Sequence, residues 1–163
     1  MLVMKIGIIS DTHQNLQLAQ KAIEHMGPVD LLLHGGDHYR DALKLAEETG
    51  LPVKAVIGNC DMSDGPTEEI LDLDGLRILL THGHRYGVKF GLDKLYYRVR
   101  EVEAQIAVFG HSHVPVEEWV EGILLFNPGS VGSPRGLGGK STYGIIYINE
   151  DKEIKAYIHE MND

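Results

Sequence analysis

The sequence predicts an α/β chain with a mixed sheet system, two sheets face to face and helices outside. Three features carry the prediction. Short β-rich runs alternate with helical patterns over the first third, the later part is mainly short strands joined by short turns, and no repeat or low-complexity stretch breaks the order. At 163 residues the chain suits a single domain, 1–163, with enough mass for a real core.

Each element has a local reason. Val3–Ile9 is a short apolar run that carries Lys5 and leads straight into Ser10 and Asp11, so it reads as a buried strand rather than a signal peptide. Leu16, Ala19, Ile23 and Met26 recur at three- and four-residue spacing and mark an amphipathic helix that closes near Gly27 and Pro28, with Asn15 as its cap. Leu31–Leu33 is a second strand, Ala42, Leu45 and Ala46 mark a second helix stopping at Gly50, and Val53–Ile57 is a third strand. Such alternation implies parallel pairing with right-handed crossovers. Ile70–Leu73 and Leu76–Leu80 flank Asp74 and Gly75, a strong hairpin signal. Leu92, Leu95, Tyr96, Val99 and Val102 fall on one helix face, and Arg98, Arg100, Glu101 and Glu103 read as its solvated side. Tyr96 and Tyr97 divide between core and pocket wall. The runs Ile106–Phe109, Val114–Val120, Ile123–Phe126, Tyr143–Ile148 and Ile154–Ile158 follow, and this region is expected to pair antiparallel. Gly129–Gly139 is expected as a surface loop, with Asn127 and Ser130 shaping its entry.

Composition narrows the function. Asp and Glu outnumber Lys and Arg by 24 to 15, a net charge of −9 with neutral histidines. Such a surface repels the nucleic-acid backbone and anionic membranes, so neither a long nucleic acid nor a membrane is an expected partner. No apolar stretch reaches the roughly 18 to 20 residues of a membrane helix. A single cysteine, Cys60, excludes an internal disulfide, and a reducing cytoplasm is the expected setting.

Five clusters stand directly after expected strands: Asp11-Thr12-His13, Gly36-Asp37, Gly58-Asn59, His82-Gly83-His84 and Gly110-His111-Ser112-His113. In parallel-sheet architectures ligands bind outside the carboxyl ends of strands, so these loops can converge on one edge. Two Asp, one Asn and four His are too many donors for one ion of this class and suit two, with one carboxylate bridging. Imidazole mixed with carboxylate and amide oxygen fits borderline divalent ions, with manganese expected ahead of nickel, zinc, iron or cobalt. Each residue has a plainer reading. Asp11 and Asn59 also suit a cap or a turn, and His82, His111 and His113 could be loop histidines with ordinary partners.

The ordered motifs SDTHQN, HGGD, IGNCD, THGHRYG, GHSHVP and NPGSVGSPRG, from about Ile6 to Gly136, resemble those of the calcineurin-like metallophosphoesterases, in particular their small bacterial and archaeal phosphodiesterase members. The resemblance implies a four-layer αββα sandwich with two mixed β-sheets. It also implies that Asp11, His13 and His113 hold one metal, Asn59, His82 and His111 hold a second, and Asp37 bridges them. The implied activity is hydrolysis of small phosphate diesters by in-line attack of a hydroxide held between the ions. Asn59 would help stabilise the charge that grows on phosphate oxygens. Alternatives are a metal-binding interaction scaffold of the same fold without catalysis, a phosphomonoesterase and a nuclease.

One position departs from the larger members of that family, which carry a His after the Gly-Asn dipeptide as general acid. Here it is Cys60, a poorer proton donor near neutral pH, while Asp61, which would orient that His, is retained. The expected consequence is faster cleavage of activated or aryl diesters than of simple alkyl monoesters. A direct catalytic role for Cys60 stays open beside its reading as a small buried residue. His84 is expected to contact substrate or to pack behind the ligands. His34 reads as a strand-end core histidine, His38 and Arg135 as either substrate contacts or solvated residues, and His25 and His159 as surface residues.

Overall fold

Side chains alternate across every strand, and here that alternation sorts the apolar residues into three cores. The structure is a computed structural model that describes residues 3–135 and 139–161. In chain order it runs β1 (Met4–Ile9), α1 (Leu16–Met26), β2 (Leu31–His34), α2 (Tyr39–Thr49), β3 (Val53–Ala55), β4 (Glu68–Leu73) and β5 (Leu76–Thr81). A single 3-10 turn, His84–Tyr86, precedes α3 (Asp93–Glu101), and then come β6 (Ile106–Val108), β7 (Val116–Val120), β8 (Ile123–Asn127), β9 (Thr142–Ile148) and β10 (Ile154–Glu160). The side chain of Asn15 caps α1 by accepting from Leu18 N at 3.2 Å, as expected.

Two five-stranded sheets form, in the orders β10-β9-β1-β2-β3 and β4-β5-β6-β8-β7. Ile6 and Ile8 of β1 point between the sheets, where they meet Ile78 and Leu80 of β5, Ile106 and Val108 of β6 and Phe126 of β8. The next residues in register point outward. Ile9 and Leu32 pack under Ala19, Ala22 and Leu45 of α1 and α2, while Leu79, Ala107 and Leu125 pack under Leu95 and Val99 of α3. The result is helix, sheet, sheet, helix: the four-layer sandwich that the resemblance implies. Both sheets are mixed.

Three expectations need correction. The later region is not uniformly antiparallel, because β5 pairs parallel with β6 and β6 parallel with β8. Its short turns hide two crossovers: α3 carries the chain from β5 to β6, and β7 is inserted at the sheet edge as a hairpin on β8. Arg98 is not a solvated helix charge. Its guanidinium donates to Glu68 Oε2 at 2.9 Å, which ties α3 to β4, and it also pairs with Glu101. Gly129–Gly139 is not simply a surface loop: Gly129, Ser130 and Val131 are buried, and residues 136–138 lie outside the described residues.

Parallel order in the middle of each sheet has a geometric consequence. β1, β2 and β3 end on one edge, and so do β5, β6 and β8. Hydrogen bonds join the two edges: His82 Nδ1 meets Gly35 O at 2.7 Å, and His111 N donates to Asp11 Oδ2 at 3.2 Å.

Candidate metal centre

All five loop clusters meet at this shared edge. Asp11, His13, Asp37 and His113 each offer one ligand atom, and these atoms all lie within 4.8 Å of one another. His113 Nε2 is 3.2 Å from Asp11 Oδ1, and His13 Nε2 is 3.8 Å from Asp37 Oδ2. On the other side of the carboxylates, His82 Nε2 is 3.4 Å from Asp37 Oδ2 and 3.8 Å from Asp11 Oδ1. The His82 and His111 rings are 5.1 Å apart, and His111 Nδ1 stands 3.0 Å from Asn59 Oδ1. Asp37 Oδ2 therefore faces both groups of donors. Asp11 Oδ1 faces the same two groups, which the sequence reading had not assigned to it.

The carboxylates are held by their other oxygens. Asp11 Oδ2 accepts from Ser10 Oγ at 2.6 Å, and Asp37 Oδ1 accepts from the Cys60 backbone N–H at 2.9 Å. Gly110 allows this closeness, since a Cβ there would sit 2.5 Å from Asp11 Oδ2. The imidazoles are held in the same manner. His82 Nδ1 faces the Gly35 carbonyl, and His113 Nδ1 faces the Ser133 carbonyl at 2.6 Å. A carbonyl only accepts, so Nδ1 carries a proton and Nε2 is the ring atom turned inward. Burial opposes a charged His82, but Asp37 and Asp11 outweigh it and raise its pKa.

The loops adopt costly backbone shapes to achieve this. Among the described residues eleven non-glycine residues have positive φ, and seven of these are Asp11, His13, Gln14, Asp37, His38, His111 and His113. Strain of this kind persists where surrounding contacts over-determine it, and it concentrates at functional sites.

A divalent cation fits this donor set. Asp11 Oδ1 and His82 Nε2 are buried yet have no hydrogen-bond partner among the described residues, and both face the centre. Buried polar atoms without partners are costly, and a cation would satisfy them together. Burial opposes the Asp37 carboxylate, but His82 and the Cys60 amide outweigh it and hold the group far below the usual carboxylate range. Burial lowers the affinity of His111 for a proton to a pKa of about 4, helped by His82 and Lys89, and burial likewise lowers His13 and His84. Neutral imidazole is the form that ligates a metal.

The remaining expected residues fall as follows. His84 packs its ring 5.4 Å from His82 and 6.0 Å from His111, with a buried Nδ1 that has no hydrogen-bond partner among the described residues. Cys60 is exposed at the mouth, and partial loss of solvent around its sulfur together with the Asp37 charge pushes its thiol up. Asp61 does not wait for a histidine: its oxygens accept from Tyr39 N at 2.7 Å and Gly58 N at 2.8 Å, which shapes the Asn59 loop. His25 and His159 are exposed, and Arg135 is exposed beside His113 with its amide on the His113 carbonyl. A hollow of about 550 Å³ beside Met4, Leu73 and Ile148 lies at the opposite end of the sandwich and is lined by none of these residues.

Sequence reasoning missed two supports. Thr12 Oγ1 donates to Asp41 Oδ2 at 2.6 Å, and Asp41 also accepts from Gln14 N. Behind them His34 is fully buried; its Nδ1 accepts from Gly36 N, so its Nε2 proton goes to Thr12 Oγ1 at 3.0 Å. The second support is a sixth loop, after β8. Asn127 Nδ2 donates to the Gly110 carbonyl and to Ser112 Oγ, and Ser130 Oγ donates to the Asp11 carbonyl at 2.8 Å. The NPGS stretch was the available signal.

Burial lowers the His34 pKa to about 4 against an ordinary value near 6.5. As pH falls through 6.5 the unfolded chain takes up this proton and the folded chain does not. Stability present above pH 6.5 is therefore lost on the way to pH 4, by about 3 kcal/mol. Urea unfolding of the metal-free protein should lose stability over this range, and His34→Gln should lose less. An equal pH slope in the variant would contradict the assignment.

The sequence pattern of the calcineurin-like phosphoesterase superfamily domain matches residues 4–151. The chain belongs to this superfamily. Among its relatives, the probable metallophosphoesterase YsnB of Bacillus subtilis is 39% identical over 152 residues, covering 91% of this chain and 86% of the relative. The phosphodiesterase MJ0936 of Methanocaldococcus jannaschii is 32% identical over 175 residues, covering 96% of this chain and 100% of the relative. A solved structure from Streptococcus pneumoniae TIGR4, described as a predicted phosphoesterase, superposes with a TM-score of 0.81 at 29% identity, covering 99% of both chains.

Proposed function

We propose that this chain is a phosphodiesterase that works with two divalent metal ions and hydrolyses small phosphate diesters. One ion would be held by Asp11, His13 and His113, the other by Asn59, His82 and His111, with Asp37 between them. The observation that carries the reading is the pair of inward carboxylate oxygens flanked on both sides by imidazoles. Bound cations of this kind supply Lewis acidity and make water a competent nucleophile near neutral pH. The chain's own part is positional. The Ser133 and Gly35 carbonyls fix two imidazoles, the Cys60 amide fixes Asp37, and Ser10 fixes Asp11. Asn59 offers its side-chain amide at the mouth, where charge grows on the phosphate oxygens.

No strong proton donor stands at the position of Cys60, so leaving groups must depart with little help. Bis(p-nitrophenyl) phosphate should therefore be cut faster than an alkyl monoester such as glycerol 3-phosphate. Activity should require manganese or a similar divalent ion and vanish with a chelator. The opposite substrate order, or full activity in excess chelator, would sink the reading. No membrane-crossing helix occurs among the described residues.

A further inference from the structure

Beside the candidate metal centre lies a groove of about 230 Å³ between the Gln14–His38 side and the Cys60–Ser63 loop. It adjoins the centre. The Cys60 amide that forms part of its wall is bonded to Asp37 Oδ1, and the His38 ring stands 5.6 Å from the His13 ring. Whole-ligand pockets generally run from about 300 to 1,000 Å³, so this groove is the size of one portion of a ligand.

Its lining is rich in uncommitted donors. Gln14, His38, Arg40 and Ser63 all border it, and no side-chain hydrogen bond or ion pair engages any of the four among the described residues. Asp61 is the single carboxylate in the lining, and both its oxygens are turned onto the amides of Tyr39 and Gly58. Met62, fully exposed, adds an apolar edge.

The arginines divide by location. Arg77, Arg98 and Arg100, on β5 and α3, each pair with a carboxylate. Arg40, Arg85 and Arg135 stand on or beside the loops of the metal centre, and none has an ion pair among the described residues. In a chain of net charge −9, Arg40 offsets the one carboxylate of this lining, and its guanidinium has no ion pair among the described residues. Guanidinium recognises phosphate through paired, charge-assisted N–H donors.

We propose that this groove binds a second phosphate group carried by the diester substrate, with Arg40 as its principal donor. The inference rests on the phosphodiesterase reading above and specifies the substrate class: a small diester with a further phosphate on one ester arm. The net charge of −9 disfavours a long polyanion as the carrier of that group.

The test compares the p-nitrophenyl ester of thymidine 5′-phosphate with the same ester bearing a 3′-phosphate. Water cleaves the same aryl P–O bond in both and releases p-nitrophenol, so the chemistry is held constant. The 3′-phosphorylated ester should show a kcat/KM about tenfold higher, the scale of a hydrogen bond to a charged group. In Arg40→Gln the ratio between the two esters should fall to within about twofold of unity. Equal values in the unaltered protein, or a preference that survives Arg40→Gln, would overturn the groove assignment and leave the diesterase reading intact. If neither ester is hydrolysed with any divalent ion, the diesterase reading fails. Calorimetry on the manganese-loaded protein then decides the groove separately. Thymidine 3′,5′-bisphosphate should bind about tenfold tighter than thymidine 5′-phosphate, with the gain lost in Arg40→Gln, and equal affinities would overturn the assignment.

Discussion

Asp37→Asn should lower turnover of an aryl phosphate diester by about a thousandfold or more, while leaving the protein folded. The two oxygens of this side chain have different partners. Oδ1 accepts the Cys60 N–H, and an asparagine Oδ1 can keep that bond. Oδ2 lies 3.8 Å from His13 Nε2 and 3.4 Å from His82 Nε2, and an amide NH₂ placed there would bring donors where a cation needs lone pairs. The change is thus nearly isosteric and falls on the proposed ligand function. A second readout separates metal loss from misfolding. In the unaltered protein, manganese at about a hundredfold over its Kd should add about 2.7 kcal/mol of stability, roughly 5 to 10 °C in Tm for a chain of this size. Asp37→Asn should lose most of that rise. A variant that keeps near-normal turnover, or that melts with the same manganese-dependent rise, would contradict the proposed bridge.

The candidate site was more legible in the sequence than the sheet that builds it. Its donors are chemically distinctive, and each cluster follows a strand end, so residue type and local position were enough to gather Asp11, His13, Asp37, Asn59, His82, His111 and His113. Strand direction was harder. The segments around β6, β7 and β8 are joined by short turns that suggest hairpins, and only the crossover of α3 makes β5, β6 and β8 parallel. The supports were less legible still, because their partners are remote in sequence. Asp41 meets Thr12 across 29 residues, and Ser130 meets Asp11 across 119. A threonine or a serine in a loop announces no such partner. Cys60 shows the reverse case: as a free cysteine it had a buried reading, yet its position in the Asn59 loop puts its amide on Asp37 and its side chain in the open.

Charge explains why so much of the chain is committed to holding few ligands. Asp11 and Asp37 bring two carboxylates to a buried edge, an arrangement whose repulsion a cation relieves and a metal-free fold must bear. The protein spreads that cost over fixed dipoles: the amides of Cys60 and His111 and the Ser10 hydroxyl all aim at the carboxylate oxygens that face away from the centre. Preorganised donors of this kind keep the inward oxygens free, and they need no rearrangement when a cation binds.

That arrangement depends on the loop after β8, and Gly132→Ala should damage the site through it. Val131 N donates to Ser10 O and Gly132 N to Asp11 O, both at 3.2 Å, so this loop lies directly on the backbone of the Asp11 loop. A Cβ on Gly132 would fall 2.0 Å from Thr12 O and 2.6 Å from Thr12 C. Backbone cannot swing aside as a side-chain end can, so the two loops must separate. Separation strains the Ser130 bond to the Asp11 carbonyl and shifts the Ser133 carbonyl that orients His113. The expected cost is about 1 to 3 kcal/mol of stability, as for other overpacked positions. Metal affinity should also fall by about ten- to a hundredfold, the range for lost supports behind metal ligands. Calorimetric titration of manganese and a urea unfolding curve measure the two effects on one sample. If Gly132→Ala loses stability but binds manganese as tightly as the unaltered chain, the loop is packing alone and does not position the centre.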